Sequence, residues 1–236
     1  MTRLLEVKSI YKSFMVHHIG KKIHAVNDIS FSLDEGKFIG IIGKSGSGKS
    51  TILKLIYRTY LPERGEIMYN SERFGKIDLM KASERDMIYL RQNEIGYVSQ
   101  FLSAMPRTTA REIVEQSVLE MGRTQEEAKV IAAEALTHFD LDPGLWDNYP
   151  VTFSGGEKLR LNIASAIVKK PRLLLLDEPT ASLDDASKLK VRKAIEKLKD
   201  EGTTLIGIFH DLEFMEGLCD KVFDFQKGEC LEGVGA

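Results

Sequence analysis

The chain has 236 residues, of which 43% are hydrophobic and 29% charged, a composition typical of a globular protein with a buried core. Its 33 Lys and Arg residues against 35 Asp and Glu give a net charge of -2, which argues against a nucleic-acid partner. The first residues form no apolar signal segment, no apolar run is long enough to span a membrane, and Cys219 and Cys230 lack metal-ligand spacing. We therefore expect a cytoplasmic protein with free thiols and no direct insertion into a membrane.

The first hundred residues favour β-structure around one glycine-rich loop. Alternating or β-branched apolar residues predict strands over 4–10, 23–33, 38–42 and 66–70, with a break at Asn27-Asp28. A helix is predicted over 49–57, directly after the loop.

The middle of the chain, 101–169, changes to apolar residues at helical spacing. One of its helices starts at Thr124, with Glu127 three residues later, which is the pattern of a capping box. Strand–helix alternation resumes with strands over 173–176 and 203–209 and a helix over 185–199. The chain is therefore predicted to be a single α/β domain. Its core, 1–100 and 170–236, combines a parallel sheet with antiparallel strands at the front, and 101–169 is a helical insertion.

The segment from Gly43 to Ser50 reads G-K-S-G-S-G-K-S and matches the phosphate-binding pattern G-x-x-x-x-G-K-[ST] between a strand and a helix. Glycines let backbone N–H groups turn toward phosphate oxygens, and the helix N-terminus adds positive charge. Lys49 would reach the β- and γ-phosphates, and the Ser50 hydroxyl is a suitable ligand for Mg²⁺. A chance Gly- and Ser-rich loop is the weaker interpretation.

Two adjacent acids, Asp177 and Glu178, follow the apolar strand at 173–176. Open α/β sheets bind ligands at the carboxyl ends of their strands, so Asp177 is predicted to hold Mg²⁺ there. Glu178 is predicted to act as general base on a water that attacks the γ-phosphate, its side chain pointing differently because side chains alternate along a strand. The alternative is a solvated acidic turn, which the phosphate loop in the same chain makes less favourable.

A second glycine segment, T-F-S-G-G-E-K-L-R-L-N-I at 152–163, opens another helical run. Its backbone N–H groups could bind an anion, or the glycines could form a tight turn. The residues alone do not separate these two interpretations.

The ordered motifs resemble those of the ATP-binding cassette (ABC) ATPases over nearly the whole chain. S-G-G-E-K at 154–158 resembles the family signature, and D-E-P-T-A-S-L-D at 177–184 the Walker B and D-loop run. The resemblance implies a P-loop NTPase fold with a RecA-like parallel-sheet core, an N-terminal antiparallel β subdomain and an inserted helical signature subdomain. It also implies that ATP and Mg²⁺ are bound and that two cassettes, identical or different, pair head to tail and enclose two ATP molecules.

The resemblance also assigns roles to individual residues. Gln100 resembles the Q-loop glutamine, which implies that it is a metal ligand, and His210 resembles the switch histidine. Phe14 resembles the aromatic residue that stacks on adenine, and Asp184 resembles the D-loop aspartate. Tyr11 competes with Phe14 for the adenine. The remaining ATP contacts are implied for Gly43, Lys44, Ser45, Gly46, Ser47, Gly48, Lys49, Ser50 and Thr51, and the signature contacts in trans for Ser154, Gly155, Gly156 and Glu157.

Three positions of the sequence depart from the family pattern, and the first is Phe153, where the family often has leucine. Glu157 stands where glutamine is common, and its carboxylate could weaken or tune binding of the partner's nucleotide by repulsion. Ser165 stands where many members have arginine.

Four stretches bear on the branch of the family: 56–67, 101–110, 145–157 and 207–211. They resemble the L subunit of the carbon–phosphorus (C–P) lyase system, which implies an ATPase that works with the soluble phosphonate-degrading core complex and is linked to formation of ribose 1-phosphonate 5-triphosphate. The alternative is the motor subunit of a membrane transporter, of the lipoprotein-release or macrolide-export type. A chromosome-maintenance ATPase is disfavoured because the insertion is too short for a long coiled coil.

Overall fold

A computed structural model describes residues 2–16, 20–99, 107–180, 183–209 and 212–231 of the chain. Its N-terminal part contains an antiparallel sheet with the strand order β2-β1-β4-β5. These strands are β1 (Arg3–Val16), β2 (Lys21–Asp34), β4 (Arg64–Ser71) and β5 (Gly75–Asp78).

The break predicted at Asn27-Asp28 is a bulge inside one continuous strand. Asp28 has a φ of 54°, and the register of β1 with β2 shifts between the pairs Ile10–Ile29 and Lys12–Val26. Aspartate adopts this left-handed conformation more readily than most residues, so the strand absorbs the irregularity and continues. The sequence therefore predicted the position of the irregularity correctly, but the prediction that the strand breaks there was wrong.

The second sheet has the strand order β10-β9-β3-β8-β7-β6, in which β6, β7, β8, β3 and β9 run parallel and β10 pairs antiparallel with β9. The carboxyl ends of β3, β8 and β7 consequently lie side by side. This arrangement confirms the predicted α/β fold with an antiparallel front. The strands are β3 (Phe38–Ile42), β6 (Ile95–Val98), β7 (Leu173–Asp177), β8 (Thr204–Ile208), β9 (Lys221–Asp224) and β10 (Glu229–Leu231).

The helices start where the sequence places capping residues. Reciprocal capping boxes open α2 at Ser83, α3 at Thr109 and α4 at Thr124. Helix α2 was not predicted from the sequence, because it buries only Met87 and Leu90 and so has a weak apolar stripe. The helices are α1 (Lys49–Ile56), α2 (Glu84–Asn93), α3 (Ala110–Leu119), α4 (Gln125–His138), α5 (Gly155–Ile167), α6 (Asp185–Asp200) and α7 (Leu212–Met215).

Each face of the parallel sheet has its own hydrophobic core. Helices α3, α4, α5 and α6 pack on the face that presents Leu174 and Leu176, and the buried free thiol of Cys219 belongs to this core. The antiparallel sheet, α1 and α2 pack on the opposite face, with Leu173 and Leu175. Nothing among the described helices combines the length and the apolarity needed to cross a membrane.

Arg172 joins the two sheets just before β7. Its guanidinium donates to Glu35 Oε1 at 2.5 Å and to the carbonyl oxygen of Asn70 at 2.7 Å, and it lies 4.0 Å from Glu94 Oε2. The Glu94 carboxylate is buried and accepts hydrogen bonds from the Ser71 hydroxyl and the Glu72 N–H. Arg172 is thus the cation that compensates a buried carboxylate where β4, β6 and β7 meet.

We expect Arg172→Met to lower the free energy of unfolding by about 2–4 kcal/mol, because it leaves Glu94 buried without its cation. Urea unfolding followed by circular dichroism measures the change. Lys76→Met is the matched control. The exposed amino group of Lys76 lies 3.8 Å from Glu6, its one ion pair among the described residues, so this substitution should change stability by less than about 0.5 kcal/mol. Equal effects of the two substitutions would contradict the assigned role of Arg172.

Candidate functional site

The glycine-rich loop between β3 and α1 has the backbone that a phosphate cradle requires. Gly43, Gly46 and Gly48 have φ angles of 149°, 75° and 102°, which residues with side chains rarely adopt. A Cβ at Gly48 would also lie 1.7 Å from the carbonyl oxygen of Ala25 in β2. Conformation and space therefore both demand glycine at this helix start.

The loop also leaves several backbone donors without a hydrogen-bond partner. Within the described chain, the backbone N–H groups of Gly46, Gly48, Lys49 and Ser50 form no hydrogen bond, whereas the N–H of Thr51 donates to the Gly48 carbonyl. Unpaired N–H groups at a helix start bind anions. Lys44, Ser45 and Gly46 are exposed, so one side of the cradle is open to solvent in the single chain.

Lys49 is buried under this loop. Its amino group donates to the carbonyl oxygens of Gly43 at 2.8 Å and Lys44 at 2.9 Å, which holds the loop closed. Burial lowers the pKa of Lys49, and the carboxylates of Glu178 and Asp177 oppose that fall. The charge of Lys49 is thus coupled electrostatically to the two acids that follow the apolar strand.

Asp177 ends β7 at the same edge of the sheet and is buried. Its Oδ2 accepts a hydrogen bond of 2.6 Å from the Tyr97 hydroxyl on the neighbouring strand β6. Its Oδ1 is buried without a hydrogen-bond partner in the described part of the chain. Burial raises the pKa of Tyr97 and the hydrogen bond to Asp177 raises it further, so the phenol stays protonated and donates.

Glu178 stands immediately after the strand and has a φ of 53°. The left-handed conformation costs a residue with a side chain about 1 kcal/mol or more, and here Pro179 follows and restricts the backbone further. The direction of the Glu178 side chain is thus set by this turn, and the side-chain alternation assumed from the sequence ends at Asp177. Strain of this kind concentrates at functional sites.

The second glycine segment forms the start of α5. Ser154 is the N-cap, its Oγ accepts from the Glu157 N–H at 3.3 Å, and Glu157 Oε2 accepts from the Ser154 N–H at 2.8 Å. The carboxylate of Glu157 is therefore bonded to its own helix start. A glutamine could form the same capping box, so the box does not by itself account for the departure from the family pattern.

Gly156 lets α5 approach α6. A Cβ on Gly156 would lie 2.9 Å from both Cβ and Oγ of Ser187, closer than side chains tolerate. Asp184 caps α6 by accepting from the Ser187 N–H at 2.7 Å, and this hydrogen bond lowers the pKa of Asp184. The signature segment and the D-loop aspartate thus meet at two adjacent helix starts.

Of the three residues assigned by resemblance to adenine stacking, the Q-loop and the switch position, the structure describes only Phe14. Phe14 is half-buried and its ring packs edge-on against Tyr60 at 5.2 Å. The competing ring of Tyr11 is covered by the guanidinium of Arg64 at 4.3 Å. Adenine stacking on Phe14 stays a prediction, and Gln100 and His210 lie outside the described residues.

The residues present fit a nucleotide with its metal ion. The unpaired N–H groups suit phosphate oxygens, and the buried unpaired Oδ1 of Asp177 with the Ser50 hydroxyl supplies hard oxygen ligands of the kind Mg²⁺ takes. Among the described residues no cluster of three His, Cys, Asp or Glu residues could hold a metal by itself. Mg²⁺ commonly completes its coordination with phosphate oxygens and water.

Two contacts in this region were not anticipated from the sequence. The Tyr97 hydroxyl reaches Asp177 across 80 positions, and the Asn162 side chain in α5 donates to the Ser99 carbonyl at 3.0 Å. The polar Tyr97 inside a short buried strand was the available signal for the first contact.

Ser165, a departure from the family pattern, has a structural contact of its own. Its hydroxyl lies 2.8 Å from the Ser117 hydroxyl, and this hydrogen bond connects α5 to α3.

Comparison with known proteins gives consistent matches. The family profile described as ABC transporter matches residues 26–181. The L-cystine import ATP-binding protein TcyC of Bacillus subtilis (strain 168) is 34% identical over 97% of this chain and 89% of its own length. The cell division ATP-binding protein FtsE of the same organism is 31% identical over 95% of this chain and 93% of its own.

A solved structure extends the match to the fold. The ATP-binding cassette MJ0796, in a dimeric post-hydrolysis state bound to ADP and Pi, is 27% identical and superimposes with a TM-score of 0.85. The match covers 98% of this chain and 97% of that chain. From the loop geometry, the acid pair and these matches together, we conclude that the chain belongs to the ABC transporter family of ATP-binding cassette ATPases.

Proposed function

We propose that this chain hydrolyses ATP to ADP and phosphate as one half of a pair of cassettes. The observation that carries this proposal is the edge of the parallel sheet, where the unpaired N–H groups of the glycine loop, the buried Lys49 and the buried Asp177 come together. A relative with this fold is dimeric with ADP and Pi bound, which supports the pairing. The partner is either a second copy of this chain or another cassette.

Each residue of the site has a distinct task in the proposed reaction. The loop N–H groups and Lys49 hold the phosphates, and Ser50 and Asp177, with Gln100, hold the metal ion. When bound, Mg²⁺ neutralises charge on the β- and γ-phosphates. Glu178 accepts a proton from the water that attacks the γ-phosphorus, while ADP leaves.

The signature segment completes the site of the partner chain. No hydrogen bond joins 43–50 to 154–157 within the described residues, and Ser154 and Gly155 are exposed at a helix start that suits an anion. We propose that these residues contact the nucleotide held by the second cassette. We further propose that His210 senses the γ-phosphate of the ATP bound to its own chain.

We propose the motor subunit of a membrane transporter as the first candidate for the biological role. The match to the family described as ABC transporter supports it, as does the relative named for L-cystine import. Such a subunit would act on the cytoplasmic side, where ATP is available, and would contact membrane-embedded partner proteins without entering the bilayer itself.

A second candidate is the ATPase subunit of the C–P lyase system, linked to ribose 1-phosphonate 5-triphosphate formation. The observation that favours it is the set of stretches 56–67, 101–110, 145–157 and 207–211. The relatives described above carry other names, for import and for cell division, so this finer assignment rests on those stretches alone.

The partners distinguish the two candidates. For a transporter motor, we expect affinity purification of the tagged chain from a detergent extract of its native cells to recover membrane proteins with several spans. Mass spectrometry identifies the recovered proteins. The same purification with Lys49→Met shows which of these partners are recovered only when the chain can bind nucleotide. Exclusive recovery of soluble phosphonate-pathway subunits would reject the transporter role and support the second candidate.

We expect Glu178→Gln to lower kcat for ATP hydrolysis by about a hundredfold or more, because general base catalysis contributes about 10²–10⁴. ATP affinity should be retained, since the glutamine keeps the size of the side chain. Phosphate release and fluorescent-nucleotide binding measure the two quantities. Glu126→Gln, on the exposed surface of α4, is the control and should change neither. Unchanged turnover in Glu178→Gln would refute the base assignment.

We expect Gly156→Ala to destabilise the chain by about 1–3 kcal/mol and to reduce hydrolysis, because the new Cβ forces α5 away from Ser187. The double variant Gly156→Ala with Ser187→Gly should recover most of both losses, since it removes the atoms that clash. Urea unfolding and phosphate release on the same samples measure the recovery. An absence of coupling between the two positions would show that the approach of α5 to α6 is not the cause.

A further inference from the structure

Tyr97 bonds one oxygen of Asp177 and leaves the other available. Strands β6 and β7 pair in parallel with Tyr97 opposite Leu175, which brings the phenol within reach of the end of β7. The Tyr97 hydroxyl donates to Asp177 Oδ2 at 2.6 Å, and Asp177 Oδ1 is buried without a partner in the described residues. A hydroxyl has one proton to donate, so it engages only one carboxylate oxygen.

The position of the Tyr97 ring is set by packing on the side of α1. The ring of Tyr57, at the end of α1, lies 5.1 Å from the ring of Tyr97. The guanidinium of Arg91, in α2, lies 4.9 Å from the centroid of the Tyr57 ring, and its Nε donates to the Tyr57 carbonyl at 2.9 Å. The Tyr97 ring is thus held by aromatic packing at one end, while its hydroxyl bonds Asp177 at the other.

We propose that Tyr97 is a positioning residue for metal binding: its hydroxyl holds Asp177 Oδ2 so that Oδ1 is directed to the Mg²⁺ ion or to a water bound to it. A carboxylate held by a directional hydrogen bond keeps one orientation, as ligands of bound metals generally require from their surroundings. This proposal rests on the proposed role of Asp177 as a metal-holding residue. It assigns Tyr97 no contact with the nucleotide.

The test separates metal binding from nucleotide binding. A fluorescent, non-hydrolysable ATP analogue is titrated with Mg²⁺ in the wild-type chain and in Tyr97→Phe, and its affinity is also measured without metal. We expect Tyr97→Phe to raise the half-saturating Mg²⁺ concentration about tenfold, the scale of one hydrogen bond to a charged group, and to leave the metal-free affinity unchanged. Tyr57→Phe is the matched control and should behave as the wild type, because the Tyr57 hydroxyl forms no hydrogen bond with Asp177 in the described structure.

A second variant separates the hydroxyl from the ring. Tyr97→Leu removes both, so it should raise the half-saturating Mg²⁺ concentration as Tyr97→Phe does and, unlike Tyr97→Phe, lower the melting temperature. A rise in Tyr97→Leu alone would overturn the proposal, since packing would then be the cause.

Asp177→Ala separates this proposal from the proposed function. If Asp177→Ala requires more Mg²⁺ and Tyr97→Phe does not, the role of Tyr97 is wrong and the metal role of Asp177 stands. If the wild-type chain binds the analogue without any dependence on Mg²⁺, or if Asp177→Ala changes nothing, the metal role of Asp177 falls and the proposal for Tyr97 falls with it.

Discussion

The parallel pairing of β3, β8 and β7 determines where chemistry can take place in this chain. Parallel strands end at the same edge of a sheet, so whatever follows β3 lies near whatever follows β7. The glycine loop follows the first of these strands and the acid pair the second. Two segments that are more than a hundred residues apart therefore face each other across β8, and Lys49 responds electrostatically to both acids.

The local parts of this arrangement could be predicted from the sequence. The pattern G-x-x-x-x-G-K-[ST] after a strand specifies its own backbone, and the glycine φ angles agree with it. The capping box at Thr124 was predicted correctly from residues three positions apart. Ser154 and Glu157 have the same spacing and form the same reciprocal capping box, a pattern that a short window of sequence also contains.

The contacts between distant segments could not be predicted in this way. The hydrogen bond from Tyr97 to Asp177 depends on the register of β6 with β7, and the clearance at Gly156 depends on how α5 crosses α6. Neither quantity is encoded in a short window of sequence. The turn at Glu178 shows the same limit, because alternation along a strand gave no hint of its left-handed backbone.

The contact between α5 and α6 affects the electrostatic potential where the two helices begin. Gly156 and Ser187 are in the first turns of their helices, so two helix N-termini, each with about half a positive charge, lie side by side. Glu157 and Asp184 each place a carboxylate on one of these ends, and both carboxylates are bonded to backbone N–H groups. The two carboxylates thus reduce the repulsion between the two positively charged helix ends. They also compete with any phosphate that approaches this junction. The junction can attract an anion only to the extent that its own carboxylates leave positive charge uncompensated.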